Sequence, residues 1–307
     1  MNQDIINTII YQMSLHLDNQ QLMKLKQVLE QAMNNNDDTE DDSFELLKRF
    51  ISTKKLEGRS DKTLKYYKNT VDKMLLAIDK IVKAITTDDL RTYLTDYQSR
   101  STVSKQSVDN LRRNLSSFFT WLEDESYIMK SPVRRIRKIK TTTVVKETYS
   151  DDEMERLRDS CEEIRDLAMI DLLSSTGMRV GELVLLNRED IDFNERECIV
   201  LGKGDKERIV YFDASTKLHL QEYLNSRIDD SAALFVGLRS PYARLEIGGV
   251  EVRIRKLGRS IGIKKCHPHK FRRTMATVAI DKGMPIEQVQ KLLGHEKIDT
   301  TLQITQW

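Results

Sequence analysis

Residues 1–42 carry two apolar faces at helical spacing and end in a polar, acidic stretch from Asn34 to Asp42. Apolar residues that recur three or four positions apart are typical of amphipathic helices. The pattern therefore predicts a helical hairpin and a tether, with the two faces formed by Ile6, Ile9, Ile10 and Met13 and by Leu22, Leu25, Val28, Leu29 and Met33.

Residues 43–129 show the same helical periodicity in four successive segments. Three of the segments follow Ser60-Asp61, Thr86-Thr87-Asp88 and Ser104, whose side chains are suited to accept hydrogen bonds from the first amides of a helix. A compact helical domain is therefore predicted, with apolar faces that include Phe44, Leu47 and Phe50, then Leu64, Tyr67 and Val71, then Leu90 and Leu94, and finally Val108, Leu111, Leu115 and Phe118.

Residues 130–147 have almost no core pattern and contain Pro132, the run Thr141-Thr142-Thr143 and seven basic residues. This composition predicts a basic linker between two domains. Such a strap would let the domains close around a polyanion, with phosphate neutralisation holding the closed form; a solvated hinge is the alternative.

Residues 148–307 mix helical and strand periodicities. Two β-rich runs, 198–201 and 208–212, flank a turn that contains Lys203, and they predict a β-hairpin. Helices are predicted from Asp151, over 166–175, from Val180, and over 217–226, 250–260, 269–282 and 285–293, with Gly177, Gly283 and Gly294 as stops. The second domain is thus predicted to be α+β, and the whole chain mainly α-helical with a small β-sheet.

The composition excludes several classes of protein. Charged residues make up 32% of the 307 residues, and no run approaches the roughly 18 apolar residues of a membrane span. The three cysteines, Cys161, Cys198 and Cys266, are far apart and form neither a disulfide framework nor a zinc motif. A cytoplasmic protein without contact to a membrane is therefore expected.

The net charge of +2 is unevenly distributed along the chain. Residues 1–42 have a net charge of −6, whereas residues 43–147 have a net charge of +10. This asymmetry favours a polyanionic partner such as nucleic acid, and a solvated basic surface is the competing interpretation.

Four short segments of the second domain place a cation or an imidazole at the end of a predicted element. Arg179 follows a helix broken by Gly177, with Glu182 three residues later, and Lys203 lies in the hairpin turn. His269 and Arg272 share one face of a helix, and His295 follows a helix end. Each residue taken singly has an ordinary structural explanation, so only the ordered set points to a site.

The ordered set Arg179, Lys203, His269, Arg272 and His295 resembles the active site of the tyrosine recombinases, the phage-type integrases. The resemblance covers about 43–307, and 60–67 are similar to the family's N-terminal core-binding domain. It implies a SAM-like helical domain at 43–129 and an α+β catalytic domain at 148–307 that form a clamp around duplex DNA, with 1–42 as an extension and 130–147 as the linker.

The chemistry of phosphoryl transfer explains these residue types. A phosphodiester spreads negative charge over its oxygens during displacement, so Arg179 and Arg272 would bind the non-bridging oxygens. Lys203 would protonate the leaving 5′-oxygen, His269 would accept the proton of the nucleophile, and His295 would donate to the phosphate. No carboxylate cluster for two metal ions accompanies the set, so a metal-free reaction without a cofactor is expected.

The family's nucleophilic tyrosine lies ten residues after the glycine of its Leu-Gly-His motif, which corresponds to Ile304 here. Isoleucine cannot attack phosphorus, so we expect strand cleavage to be lost. Neither Tyr242 nor Thr305 is a good substitute. The chain ends three residues later, whereas the family usually has a further segment that packs on a neighbouring protomer.

The resemblance implies a double-stranded recombination site as partner and a homo-tetramer on DNA. Two alternatives remain open: a non-catalytic DNA-binding accessory or competitor of an active recombinase, and a copy altered at its 3′ end. The expected DNA contacts are Lys62, Thr63 and Lys65 from one helix, Lys105, Gln106, Asn110 and Arg113 from another, and Lys130, Arg134 and Arg135 from the linker.

Overall fold

The computed structural model describes residues 2–34, 41–100, 103–141, 147–202 and 207–305. The chain divides into two compact units, Met1–Thr143 and Val144–Trp307. The division falls inside the segment for which the sequence predicts a linker.

The first unit contains helices and no strand over its described residues. The predicted N-caps are confirmed, because Ser60 and Ser104 accept hydrogen bonds from the backbone amides of Thr63 and Ser107, and Thr86 forms a capping box with Asp89. The helices are α1 (Asn2–Met13), α2 (Asn19–Asn34), α3 (Ser43–Leu56), α4 (Asp61–Ile78), α5 (Thr87–Ser99) and α6 (Lys105–Asp124).

Aromatic side chains form the centre of this unit. Phe50 of α3 and Phe118 of α6 are fully buried, with ring centroids 5.2 Å apart in an edge-to-face arrangement. Trp121 stacks beside Phe118 at 6.4 Å, and Val71 and Met74 of α4 close the same core. The apolar stripes that the sequence shows on α3, α4 and α6 therefore meet in one cluster.

Residues 130–141 pack as part of the first unit, whereas the sequence predicts a linker between the domains here. Val133, in a 3-10 turn at Pro132–Arg135, is 2% exposed, and Ile136 and Ile139 pack against the same core. The backbone amide of Ile139 also donates to Oδ1 of buried Asp109. The expectation of a flexible linker is thus wrong for this part, because three apolar residues spaced by three fix it to the helices. Residues 142–146 lie outside the described part of the chain.

The second unit combines eight helices and three strands among its described residues. The antiparallel sheet has the order β1-β2-β3, and Ile199 pairs with Ile209 across the predicted hairpin. The elements are α7 (Asp151–Asp159), α8 (Ile164–Thr176), α9 (Val180–Leu183), β1 (Ile191–Asp192), β2 (Glu197–Leu201), β3 (Glu207–Tyr211), α10 (Ala214–Ser226), α11 (Ile247–Ser260), α12 (Pro268–Asp281), α13 (Ile286–Leu293) and α14 (Ile298–Thr305).

The predicted helices and the hairpin of this unit are confirmed, with ends shifted by a few residues. Strand β1 and helix α14 are additional elements. Strand β1 has only two residues, which is too short for a local periodicity to predict it. It is a strand because Ile191 pairs with Cys198 of β2.

Helix α8 is the central element of the second unit. It is apolar around most of its circumference, as expected of a helix surrounded by protein, and it packs against α10 and α12. Its two buried carboxylates are both paired: Asp166 with Arg165 and Arg253, and Asp171 with Arg158 and His219. The position of α8 fixes where its C-terminal end, and thus the loop that follows, is placed.

Helices α12, α13 and α14 form a second, smaller apolar cluster. Ala276, Val289, Leu293 and Ile304 are its buried members. This cluster holds α14 against α12 and α13. Over the described residues, no helix is both long enough and apolar enough to cross a membrane.

Two neighbouring leucines of α4 test how far the first unit depends on its core. Leu75 is 5% exposed and Leu76 is 74% exposed. We expect Leu75→Ala to lower the free energy of unfolding by about 2–5 kcal/mol because it leaves a cavity. Leu76→Ala should change it by less than about 0.5 kcal/mol. Urea denaturation followed by tryptophan fluorescence measures both, and equal effects would contradict the assignment of α4's buried face.

Candidate active site

The loop between α8 and α9 places Arg179. Helix α8 ends at Gly177, whose φ of +60° is a left-handed conformation that glycine adopts without strain. A Cβ at this position would lie 2.4 Å from Cε of Met275, a contact that the flexible end of this side chain can relieve, so the left-handed φ is what requires glycine. The chain then reverses, and Arg179 becomes the N-cap residue of α9.

Glu182 binds two arginines from different elements. Its carboxylate accepts from Nη1 of Arg179 at 2.8 Å and from both terminal nitrogens of Arg208 at 2.8 and 2.7 Å. It also accepts from the Arg179 backbone amide at 2.7 Å. Burial would raise the pKa of Glu182, but the hydrogen bonds from Arg208 and Arg179 outweigh it and lower the pKa. The buried carboxylate therefore remains ionised and orients both guanidinium groups.

Arg272 is buried, with 1% of its surface exposed, although it carries a charge. It donates from Nη1 to the carbonyl oxygen of Gly177 at 2.7 Å and from Nη2 to the carbonyl oxygen of Leu293. Nη2 also lies 2.8 Å from Nε2 of His295. Burial, followed by repulsion from Arg179, lowers the pKa of Arg272 to about 9. Arg272 is thus charged at neutral pH and joins the ends of α8 and α13.

His295 is placed by the end of α13. Gly294 ends the helix in a left-handed conformation, with φ of +62°, and His295 follows with 9% of its surface exposed. Nδ1 of His295 lies 2.9 Å from Oγ1 of Thr301 on α14. Burial, followed by repulsion from Arg272 and Arg179, lowers the pKa of His295 to about 4. The imidazole is therefore neutral at pH 7.

A cavity of about 570 Å³ opens in front of these groups. Arg179, Arg208 and His295 contribute to its wall, while Arg272 lies behind His295 and outside the wall. This arrangement is a positively charged recess with room for a phosphate group. The other lining residues are Gly202, Glu207, Lys291, Gly294, Glu296, Lys297 and Thr300. Among the described residues, no group of three histidine, cysteine or acidic side chains has the arrangement of a metal site.

The structure brings together four of the five residues that the sequence selected for catalysis. Arg179, Arg272 and His295 form the cluster described above. His269 is exposed on α12 and is close enough to contribute to the lowered pKa of His295. Lys203 lies outside the described residues, and its neighbour Gly202 stands at the edge of the cavity.

Position 304 is apolar in its surroundings as well as in its side chain. Ile304 is 4% exposed and packs in the cluster of Ala276, Val289 and Leu293. Tyr242 lines a different cavity, together with Tyr223. The side chain of Thr305 lies outside the described part.

The residues of α4 and α6 that are expected to contact DNA differ in their exposure and in the partners they already have. Lys62, Lys65, Lys105 and Gln106 are exposed. Thr63 is half-buried, with its hydroxyl 3.0 Å from that of Ser60 at the helix cap. Gln106 donates to Asn110 at 3.1 Å, and Nε of Arg113 lies 2.9 Å from Oδ2 of Asp109. Arg113 is thus an exposed cation that already has a buried anionic partner.

The expected contacts after α6 lie on the folded part of residues 130–141. Lys130 and Arg135 are exposed. Arg134 is exposed too, but Nη2 lies 3.0 Å from Oε1 of Glu123. A phosphate contact by Arg134 therefore competes with an existing ion pair.

Two site residues were not selected from the sequence. Arg208 occupies the buried side of β3 together with Val210, and a charged residue on the core side of a strand was the available signal. Thr301 had no such signal, because its contact with His295 arises only when α14 folds back on α12 and α13.

The profile of the phage integrase family matches residues 147–305, and that of the phage integrase N-terminal SAM-like domain matches residues 46–128. The tyrosine recombinase XerC of Corynebacterium glutamicum is 31% identical over 257 residues, which cover 80% of this chain and 81% of the relative. XerC of Staphylococcus aureus is 31% identical over 270 residues, which cover 83% and 90%.

Solved structures show the same fold. A dimer of lambda integrase (75–356) bound to a COC′ core site has a TM-score of 0.71 at 20% identity, with 85% of this chain and 94% of that chain covered. The XerA recombinase has a TM-score of 0.50 at 31% identity, with 86% and 93% covered. The chain belongs to the phage integrase family, the tyrosine recombinases.

The lowered pKa of His295 predicts a dependence of stability on pH. Its pKa falls from 6.5 to about 4 on folding, so below pH 6.5 the unfolded chain binds the proton more readily. The free energy of unfolding should therefore decrease as the pH falls from 6.5 towards 4, with a contribution on the order of 2 kcal/mol. Urea denaturation across this range should give a shallower dependence for His295→Gln. A control, His16→Gln, removes an exposed imidazole, and equal slopes for His295→Gln and the unaltered chain would contradict the buried neutral state.

Proposed function

We propose that this chain is a site-specific DNA recombinase in fold and ancestry whose second unit binds a phosphodiester of duplex DNA in the cavity. The observation that carries the proposal is the cavity lined by Arg179, Arg208 and His295, with buried Arg272 hydrogen-bonded to His295. Membership of the tyrosine recombinase family supports the same chemistry.

The proposed reaction is phosphoryl transfer without a metal ion. Arg179 binds the non-bridging oxygens, since it lines the cavity and a guanidinium group offers planar, forked N–H donors. Arg272 and His295 stabilise the charge that develops on the phosphorane. Lys203 protonates the leaving 5′-oxygen and His269 accepts the proton of the nucleophile, as the family resemblance implies.

Strand cleavage is proposed to be lost in this chain. A covalent phosphotyrosine conserves the energy of the broken bond, and this requires a hydroxyl at position 304. Ile304 supplies no such group and is buried among apolar side chains. The chain would bind and clamp its DNA site without cutting it.

The proposed partner is double-stranded DNA, and the proposed assembly on DNA is a homo-tetramer. The lambda integrase structure with the same fold is bound to a core site. Recombination between two duplexes needs two protein-bound sites on each, which gives four subunits. Exposed Lys62, Lys65 and Lys105 of the first unit are suited to contact phosphates.

A covalent-adduct assay tests the reaction. The substrate is a nicked suicide duplex that carries a site selected by this chain from a random-sequence pool. We expect no covalent protein–DNA adduct from the unaltered chain and an adduct from Ile304→Tyr, because the phenol restores the nucleophile. Denaturing gel electrophoresis detects the adduct. Ile304→Phe is the matched control, since it adds the ring without the hydroxyl.

The results of the adduct assay distinguish the lost nucleophile from the roles of the cavity residues. An adduct from the unaltered chain would show that another group is the nucleophile. A folded, DNA-binding Ile304→Tyr variant without an adduct would contradict the proposed roles of the cavity residues. Circular dichroism checks that the larger ring is accommodated, because overpacking of a core costs about 1–3 kcal/mol.

The salt dependence of binding tests the DNA surface. Each lysine that contacts a phosphate releases about one counterion, so Lys62→Ala and Lys65→Ala should each reduce the slope of log K against log salt by about 1. Lys48→Ala is the control, because Lys48 is also exposed, on α3, but pairs with Glu45. Fluorescence anisotropy with the selected duplex gives the slopes, and unchanged slopes in both α4 variants would exclude that helix from the interface.

The burial of Ile304 favours one alternative function, a DNA-binding accessory or competitor of an active recombinase. Such a protein would occupy recombination sites with its phosphate-binding groups intact. It would change the yield of an active recombinase that shares the site, and the absence of such an effect would argue against this alternative.

A further inference from the structure

Thr301 connects the last described helix to the charged cluster. It is fully buried on α14, and its Oγ1 lies 2.9 Å from Nδ1 of His295. On the other side of the ring, Nε2 lies 2.8 Å from Nη2 of Arg272. Three side chains from α14, the end of α13 and α12 thus form one continuous hydrogen-bonded chain.

The donors of Arg272 fix the direction of both hydrogen bonds to the His295 ring. A guanidinium group has only N–H donors, so Nε2 of His295 must accept the bond from Arg272. A neutral imidazole with an unprotonated Nε2 carries its hydrogen on Nδ1. Nδ1 therefore donates and the Thr301 oxygen accepts. As an acceptor, the Thr301 hydroxyl oxygen favours the tautomer of His295 that carries its hydrogen on Nδ1.

The same tautomer helps to hold Arg272. Nη2 of Arg272 has two hydrogens, and its partners are the Leu293 carbonyl oxygen and Nε2 of His295. Over the described residues, Nε of Arg272 has no hydrogen-bond partner although it is buried. The orientation of the guanidinium thus depends on two carbonyl oxygens and on one side chain, His295, whose own ring is fixed by Thr301.

We infer that Thr301 is a positioning residue that fixes His295 in the Nδ1–H tautomer and keeps Nε2 directed at Arg272. This inference rests on the proposed function for its consequence. When His295 takes a proton from solvent, the proton goes to Nε2, the nitrogen next to Arg272, because Nδ1 already carries one. Nε2–H then donates to the phosphate oxygen, and the hydrogen bond that Nε2 accepted from Nη2 of Arg272 is broken.

The tautomer is tested without DNA in the unaltered full chain. Long-range ¹H–¹⁵N correlation spectra of ¹⁵N-histidine protein distinguish a protonated from an unprotonated ring nitrogen, and His295→Gln assigns the signals. We expect a protonated Nδ1 and an unprotonated Nε2 in the unaltered chain and in Thr301→Ser. In Thr301→Val, which keeps the shape but removes the acceptor, both nitrogens should move towards averaged shifts.

Thr300→Val is the control in the spectra, since Thr300 is exposed next to Thr301 on the same helix. A protonated Nε2 in the unaltered chain would overturn the assignment. Unchanged His295 shifts in Thr301→Val would overturn the positioning role, because they would show that Arg272 alone fixes the tautomer.

The consequence for the reaction is tested on Ile304→Tyr with the nicked duplex. Addition of Thr301→Val should slow adduct formation at least about tenfold, the loss seen when the partner that orients a histidine is removed at metal sites. Thr301→Ser should restore the rate to within about threefold, since the hydroxyl carries the effect. Equal rates in the valine and serine variants would contradict the inference. The absence of any adduct would count against the proposed function alone, because the spectra test Thr301 independently.

Discussion

One buried carboxylate allows the cationic groups of this site to lie close together. Glu182 binds Arg179 and Arg208 at distances of 2.7–2.8 Å, and it is almost inaccessible to solvent. Without a negative charge between them, two guanidinium groups would repel each other in a medium of low polarity. Removal of one member of a buried ion pair leaves an unpaired charge, which is more costly than the pair itself is stabilising. The geometry of the cavity wall thus depends on Glu182.

Arg272 forms no ion pair with any residue that the structure describes, and dipoles hold it instead. Arg272 donates to two carbonyl oxygens and to the neutral ring of His295. The carbonyl oxygens belong to Gly177 and Leu293, the last turns of α8 and α13, where the negative ends of helix dipoles lie. Burial is the main cause of the lowered pKa values of both Arg272 and His295, followed by repulsion from Arg179 for Arg272 and from Arg272 for His295.

Position 304 has a structural role in the second unit. Its isoleucine completes the small core of Ala276, Val289 and Leu293, which holds α14 in place. Helix α14 in turn brings Thr301 to His295. Helix α14 therefore has a structural role that does not require a phenol at position 304.

Local patterns of the sequence determined the helices, the hairpin and the ordered set of cationic residues. Helical periodicity and caps at Ser60, Thr86 and Ser104 depend on neighbours within a few residues, so they can be read from the chain alone. The tertiary structure decided that Arg208 shares Glu182, that Thr301 meets His295, and that residues 130–141 pack as core. These contacts join residues far apart in sequence, and their energies depend on burial and on exact partners, which no local pattern encodes.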